Sequence, residues 1–326
     1  MRTHKLVLRG IILFAAAISL FTLQASATDN TFDRSFTVSG PVRLELSNGS
    51  GNVAIRGTGD GKVHVHGRVT KGWTLWGNSE TNVQEAVSNP PLEQRGNTIL
   101  IGKETSWLKY VAIDYQIEVP RDTEIDASVA SGGVTIDQVR GPVKCSSASG
   151  YVHVYRVERE TQLSAASGSI EVSGLGGVLR VSTASGSVNI SDVKGDIQAT
   201  AVSGSIHVAN PGGRVEASNV SGSINVTGAN NDVRAHVISG PIEVTGNPSS
   251  NRYWDLKTVS GSVEIRVPPN SSFLLSADAT SGDIRTNLPV MIEEQSKHAI
   301  RAHVGNSTGR VEVHTVSGGI NVQSGS

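Results

Sequence analysis

The chain of 326 residues holds one cysteine, Cys145, so no disulfide can form within it. Cys145 falls on an inward position of the repeat described below, which reads as a small buried hydrophobe and not a reactive thiol. Aromatic residues make up 4% of the chain, so stacked Val, Ile, Leu and Ala must build the core. Neither charge dominates. With Arg2, Lys5 and Arg9 of the N-terminal leader set aside, 25 basic residues face 29 acidic ones. No basic patch accompanies that balance, which excludes nucleic acid as a partner. The one apolar run, Ile11–Leu23, is too short for a transmembrane helix, and no later segment approaches the length needed. One site motif is missing as well. Ser169, Ser187, Ser205 and Ser223 stand where calcium-binding solenoids carry Gly-Gly-x-Gly-x-Asp.

What the chain has is a repeat. Ser-Gly recurs every 18 residues at Ser131, Ser149, Ser167, Ser185, Ser203, Ser221 and Ser239. A fixed period of this size marks a solenoid, each repeat forming one coil on the last. Counting each coil from its Ser, positions 4 and 6 are always Val or Ile, as in Ile170/Val172 and Ile206/Val208. Position 5 between them is polar: Thr135, His153, Glu171, Asn189, His207, Asn225 and Glu243. Strict alternation of β-branched residues reads as a short strand with one buried face. A second strand follows with inward positions 13, 15 and 17, for example Leu179, Val181 and Thr183.

The parity of the buried positions changes between the two strands, so the chain turns a corner, and Gly at position 2 supplies the positive φ. A second corner falls near positions 7–12, where Ser173-Gly174 and Gly176-Gly177 sit. Eighteen residues cannot hold a crossover helix, so strands must pair with their equivalents one coil away. The predicted fold is all-β, a parallel β-solenoid. Ser260 and Ser281 continue the register after 21 residues each, and Ser317 after 36 predicts one degenerate coil around Asn287–Arg310. Val38-Ser39-Gly40 and Ser50-Gly51-Asn52-Val53 read as earlier coils. About a dozen rungs would give a rod on the order of 60 Å.

Residues 1–27 stand apart from the rod. Three basic residues, the apolar run and Ala25-Ser26-Ala27 make a secretory signal peptide, with cleavage expected after Ala27. No Cys follows the run, which argues against lipid attachment. The expected organisation is leader 1–27, an atypical N-terminal cap with first coils 28–128, and regular coils 129–326 continuous with them. Strand-like runs Val63–His66, Thr98–Gly102 and Val111–Val119 flank a loop at Pro90-Pro91 in the cap. A cap is needed because a terminal coil exposes an unpaired edge. Export to the periplasm or beyond the cell follows, and the lack of a barrel or sorting signal near Ser326 favours periplasm or release over covalent display.

Three segments carry a family resemblance: Gly51–Gly57, Ile113–Thr123 with its Val119-Pro120, and Gly309–Val322 ending in Thr315-Val316-Ser317-Gly318-Gly319-Ile320. Their order and spacing resemble the bacterial "putative adhesin" family of unknown function, in which a Val-Pro strand leads into many Ser/Asn-Gly-Asp-Val units. The resemblance covers nearly all of the chain after the leader. It implies a solenoid outside the cytoplasm, in an envelope or cell-surface context, and brings no catalytic residues. The acid usual after Ser-Gly is mostly Ser here, with Asp only at Asp283.

Candidate chemistry is sparse. His64 and His66 point the same way on a strand but lack a third metal ligand. His153 and His207 share position 5 three rungs apart, roughly 14 Å, too far for one ion. No cofactor is implied. Trp73, Trp76, Trp107 and Tyr110 are the binding candidates, able to stack on sugar rings or dock a partner; burial against the first coil is the alternative. The leading function is a non-catalytic envelope or surface binding protein that presents its position-5 ladders to a glycan or protein. A glycan-active enzyme using a carboxylate such as Glu171 or Glu243, and a structural envelope-stress protein without a ligand, stay open. Oligomeric state is not legible.

Overall fold

The computed structural model describes residues 30–71, 79–103, 111–249, 251–306 and 308–325, with only the backbone of Ser79 and Glu80. Each regular coil contributes one strand to each of two large sheets. Strands such as Val143–Ser149, Thr161–Ser167 and Leu179–Ser185 run into the Ser-Gly corner. Strands such as Val152–Tyr155, Ile170–Ser173 and Val188–Ser191 leave it. The leaving strands lie in a 14-stranded sheet, here sheet 1, and the entering strands in a 15-stranded sheet, sheet 2. Successive coils pair in parallel at an 18-residue offset, Val152 opposite Ile170 and Val143 opposite Thr161. Fifteen strands span about 65 Å at the usual strand spacing. The fold is a flattened parallel β-solenoid with two faces.

The core lies between the sheets. Positions 4 and 6 are buried from Val134 to Val244, and positions 13 and 15 meet them from the other side. Position 9 closes the second corner with Val139, Val157, Leu175 and Val193, all buried and unread in the alternation because they lie outside both strands. Position 8 beside it is left-handed on the six rungs from Gln138 to Gly228, and Asp192 and Asn210 suit that conformation where Gln138 and Arg156 must be forced into it. At the Ser-Gly corner each glycine stacks on its neighbour. Gly150, Gly168, Gly186 and Gly204 have φ between +121° and +130°, and a methyl on any of them would overlap the glycine carbonyl one rung away. Buried position-17 side chains serve those carbonyls: Asn219 donates to Gly204, Thr258 to Gly240 and Thr315 to Gly261.

Rung order departs from chain order at the C-terminal end. Gly309–Ser317 inserts between Tyr253–Ser260 and Phe273–Ser281, with Ser317 opposite both Ser260 and Ser281. The expected degenerate coil at Asn287–Arg310 is absent. Those residues instead form the antiparallel strands Val290–Gln295 and Ala299–Val304. Ala299–Val304 pairs along the free edge of Phe273–Ser281, an edge that a further short coil would have left open again.

The N-terminal end is closed in a comparable way. Beyond Val53–Thr58, sheet 1 adds Val111–Pro120 in parallel, then Lys62–Lys71 and Thr31–Thr37 antiparallel. Sheet 2 adds Thr98–Ile101 and Leu92–Arg95 beyond Arg43–Ser50. Ser50-Gly51 is a true corner, stacked on Ser131. Val38-Ser39-Gly40 is not an earlier coil: it joins the outermost strand of sheet 1 to sheet 2, the reverse of a Ser-Gly corner. An α-helix, Ser79–Ser88, packs on Lys62–Lys71 through Val83 and Ala86, where the sequence offers little apolar periodicity. None of the helices among the described residues is long and apolar enough to cross a membrane.

Candidate functional site

Outward side chains of the regular coils form ladders, because the register stacks each position on its equivalent. On sheet 1 the ladders are positions 3, 5 and 7, and most rungs place small or polar groups there. Ser169, Ser187, Ser205 and Ser223 hold position 3, with Ser223 donating to the Ser205 hydroxyl at 2.9 Å. The strand Val152–Tyr155 and the residue before it break the pattern. Tyr151, His153 and Tyr155 occupy all three outward positions of one rung, while Val152 and Val154 between them are buried.

These three rings form a row. The His153 ring centroid lies 4.4 Å from that of Tyr151 at an interplanar angle of 31°, and 6.1 Å from that of Tyr155 at 57°. Gly133, one rung below, makes room for Tyr151: a side chain there would overlap its ring. Tyr151 stays 39% exposed, so the ring is presented and not packed away. Glu171 on the next rung anchors the row, its carboxylate 3.7 Å from His153 Nε2. Burial first, and then the bond its hydroxyl donates to Glu171, raises the Tyr155 pKa above the usual tyrosine value. The arrangement can stack flat apolar faces and accept hydrogen bonds from hydroxyls beside them. The signal was present in the sequence: Gly150-Tyr151-Val152-His153-Val154-Tyr155 alternates through the strand, but only position 5 was read as an outward ladder.

Several other charged groups on this sheet are paired with one another. Glu243 and Glu264 face each other on adjacent strands, and the Arg266 guanidinium bridges both. Those carboxylates, the Glu243 one first, raise the Arg266 pKa further. His64 and His66 are each taken up across the strand pair. His64 Nδ1 lies 2.8 Å from Ser35 Oγ, and His66 Nδ1 2.8 Å from Asp33 Oδ1. Among the described residues no group of three or more His, Cys, Asp or Glu is placed to hold a metal. Cys145 is buried, and that burial pushes its thiol pKa up to about 12. Trp73, Trp76, Trp107 and Tyr110 lie outside the described residues.

A family model matches residues 41–253 and again 215–323. The chain belongs to the Toastrack DUF4097 family. The overlap of the two matches fits a repeat, in which one stretch of rungs can be laid on another. No curated protein matches this Toastrack sequence. Two solved structures are similar to it at low identity. One, a putative cell adhesion protein from Clostridium sporogenes, is 9% identical, with 90% of this chain and 100% of that one covered and a TM-score of 0.22. The other, a putative adhesin from Bacteroides fragilis, is 13% identical, with 90% and 96% covered and a TM-score of 0.32. Those descriptions are of those proteins. Among the described residues the solenoid offers outward ladders, and on them one aromatic row.

Proposed function

We propose that this Toastrack chain is exported, loses residues 1–27, and acts without catalysis as an envelope or surface binding protein that holds a glycan on sheet 1. The observation that carries the reading is the row of Tyr151, His153 and Tyr155 on one rung, flanked by small side chains and tied to Glu171. Rings on a rigid sheet cost little entropy to bind against, and sugars present both an apolar face and hydroxyls. The position-5 ladder extends the contact along the rod, so a polymer could be held over several rungs.

Purified protein on an array of bacterial envelope polysaccharides and peptidoglycan fragments tests the binding. Retention by the wild type and a loss of about thirtyfold in Tyr151→Ala/Tyr155→Ala is the expected result. Equal retention by the double variant would remove the row from the reading, and release of new reducing ends from a bound glycan would show an enzyme. Protease treatment of intact and osmotically opened cells addresses location. Cleavage on intact cells fits surface display, and protection until opening fits a periplasmic binder.

A further inference from the structure

Sheet 2 carries a second feature, independent of the aromatic row. The residue just before each Ser-Gly corner is exposed on every regular rung. In the first coils it is alanine, Ala130, Ala148, Ala166 and Ala184. From mid-rod it becomes Val202, Val220, Ile238, Val259 and Val316, each 40–54% exposed. Pairing of Ser203, Ser221, Ser239, Ser260 and Ser317 on successive strands makes these five one continuous line. Val316 completes it only because Gly309–Ser317 inserts out of chain order. The alanine half of the rod shows that the fold does not need a branched residue at this position.

The neighbouring outward ladder, two residues earlier, changes two rungs further on. It runs Ser128, Ser146, Ser164, Ser182, Thr200 and Ser218, then reaches His236, Lys257 and His314 beside the last three rungs of the apolar line. Together the two ladders bound a groove of about 500 Å³ whose lining includes those three basic side chains and no carboxylate. Asp255 lies behind this wall, 2.9 Å from Lys257 Nζ and 3.3 Å from His236 Nε2. Aligned exposed apolar groups of this kind mark an interaction site, where isolated ones do not.

We propose that this groove binds a long-chain fatty acid, its tail along Val202, Val220, Ile238 and Val259 and its carboxylate at Lys257 and His314, on the last two rungs of the line. Length fits: the four rungs from Val202 to Val259 span about 14 Å, against about 15 Å for one chain in half of a bilayer core. Shape fits as well, since the line is one side chain wide. That is too narrow for the roughly 800 Å² per partner of a standard protein interface. A peptide across the strands would find no backbone partner, because the strands beneath are paired on both sides. Lys257 Nζ, half exposed while it holds Asp255, and the His314 ring supply hydrogen-bond donors to the fatty-acid carboxylate.

Calorimetry with palmitate below its micellar range, using the full chain after leader removal, tests this. One palmitate per chain is expected, weakened at least about tenfold by Ile238→Glu and by Val259→Glu. Ala148→Glu in the alanine half should bind as the wild type does, and uncharged hexadecanol should bind more weakly than palmitate. All three substitutions sit on exposed positions, and circular dichroism confirms that each variant keeps its sheet. No binding by the wild type, or undiminished binding by both Glu variants in the groove, would overturn the proposal. So would a doubling of mass in light scattering that Ile238→Glu reverses, since a second copy would then cover the groove. Hexadecanol binding as tightly as palmitate would remove the carboxylate from the site.

Discussion

Gly168 stacks on Gly150 so closely that a methyl group on it would overlap the Gly150 carbonyl oxygen, and its φ of +128° is one that side chains other than glycine rarely adopt. Two costs therefore fall on Gly168→Ala, one steric and one conformational, and neither can relax without shifting the next rung. Gly59 is the control, since nothing lies within 4 Å of a Cβ placed there. Urea unfolding should show Gly168→Ala less stable by about 3 kcal/mol, and Gly59→Ala within about 0.5 kcal/mol of the wild type. Equal midpoints for the two variants would mean that the corner glycines are replaceable and that the stack rests on the Val/Ile core alone. The same corner explains why position 17 tolerates polar groups in an otherwise apolar interior. Asn219, Thr258 and Thr315 each give a hydrogen bond to a glycine carbonyl that the strand ladders leave open.

The strands that close the two ends answer to a different requirement from the strands of the rungs. Ala299–Val304 buries Ile300, Ala302 and Val304 while pairing along Phe273–Ser281, so it covers both an edge and part of the core. Replacing Val290–Val304 by a short Gly/Ser turn should expose that edge and drive self-association, read as a rise in mass by light scattering against the full chain. Met291→Lys/Ile292→Lys, on side chains 68% and 47% exposed, should leave the mass unchanged. A shortened chain with unaltered mass and stability would show that the hairpin is not a cap. The rungs were legible in the sequence because their evidence is local: Ile170 and Val172 alternate within four residues and recur 18 later. The order of the rungs was not, because nothing near Ser317 distinguishes a neighbour 36 residues back from one 57 back. Ser79–Ser88 is not legible because among its described side chains only Val83 and Ala86 are buried, too few to give a helical period. The aromatic row was written plainly around Val152 and Val154, yet attention to one outward position per strand concealed Tyr151 and Tyr155.

At the scale of the molecule, the solenoid is a one-dimensional stack in which each rung contacts only its neighbours, so stability should divide into rung and interface contributions. Gly168–Ser185 is one full period, and deleting it joins Ser167 to Gly186 with every inward and outward position still in phase. Thr161–Ser167 would then pair with Ile197–Ser203 as it now pairs with Leu179–Ser185, and the apolar groove would be untouched. Such a chain should fold, keep its sheet signature in circular dichroism, unfold at slightly lower urea, and be shorter by about 4.8 Å in small-angle scattering. Deleting only Gly168–Gly176 should fail. It would run Ser167 into Gly177-Val178-Leu179, so a strand built for sheet 2 would follow the corner in place of a sheet 1 strand, with its side chains on the wrong faces. If the full-period deletion failed as badly as the half-period one, the rungs would not be interchangeable, and cooperation with the caps at both ends would have to carry the stability now assigned to neighbouring coils.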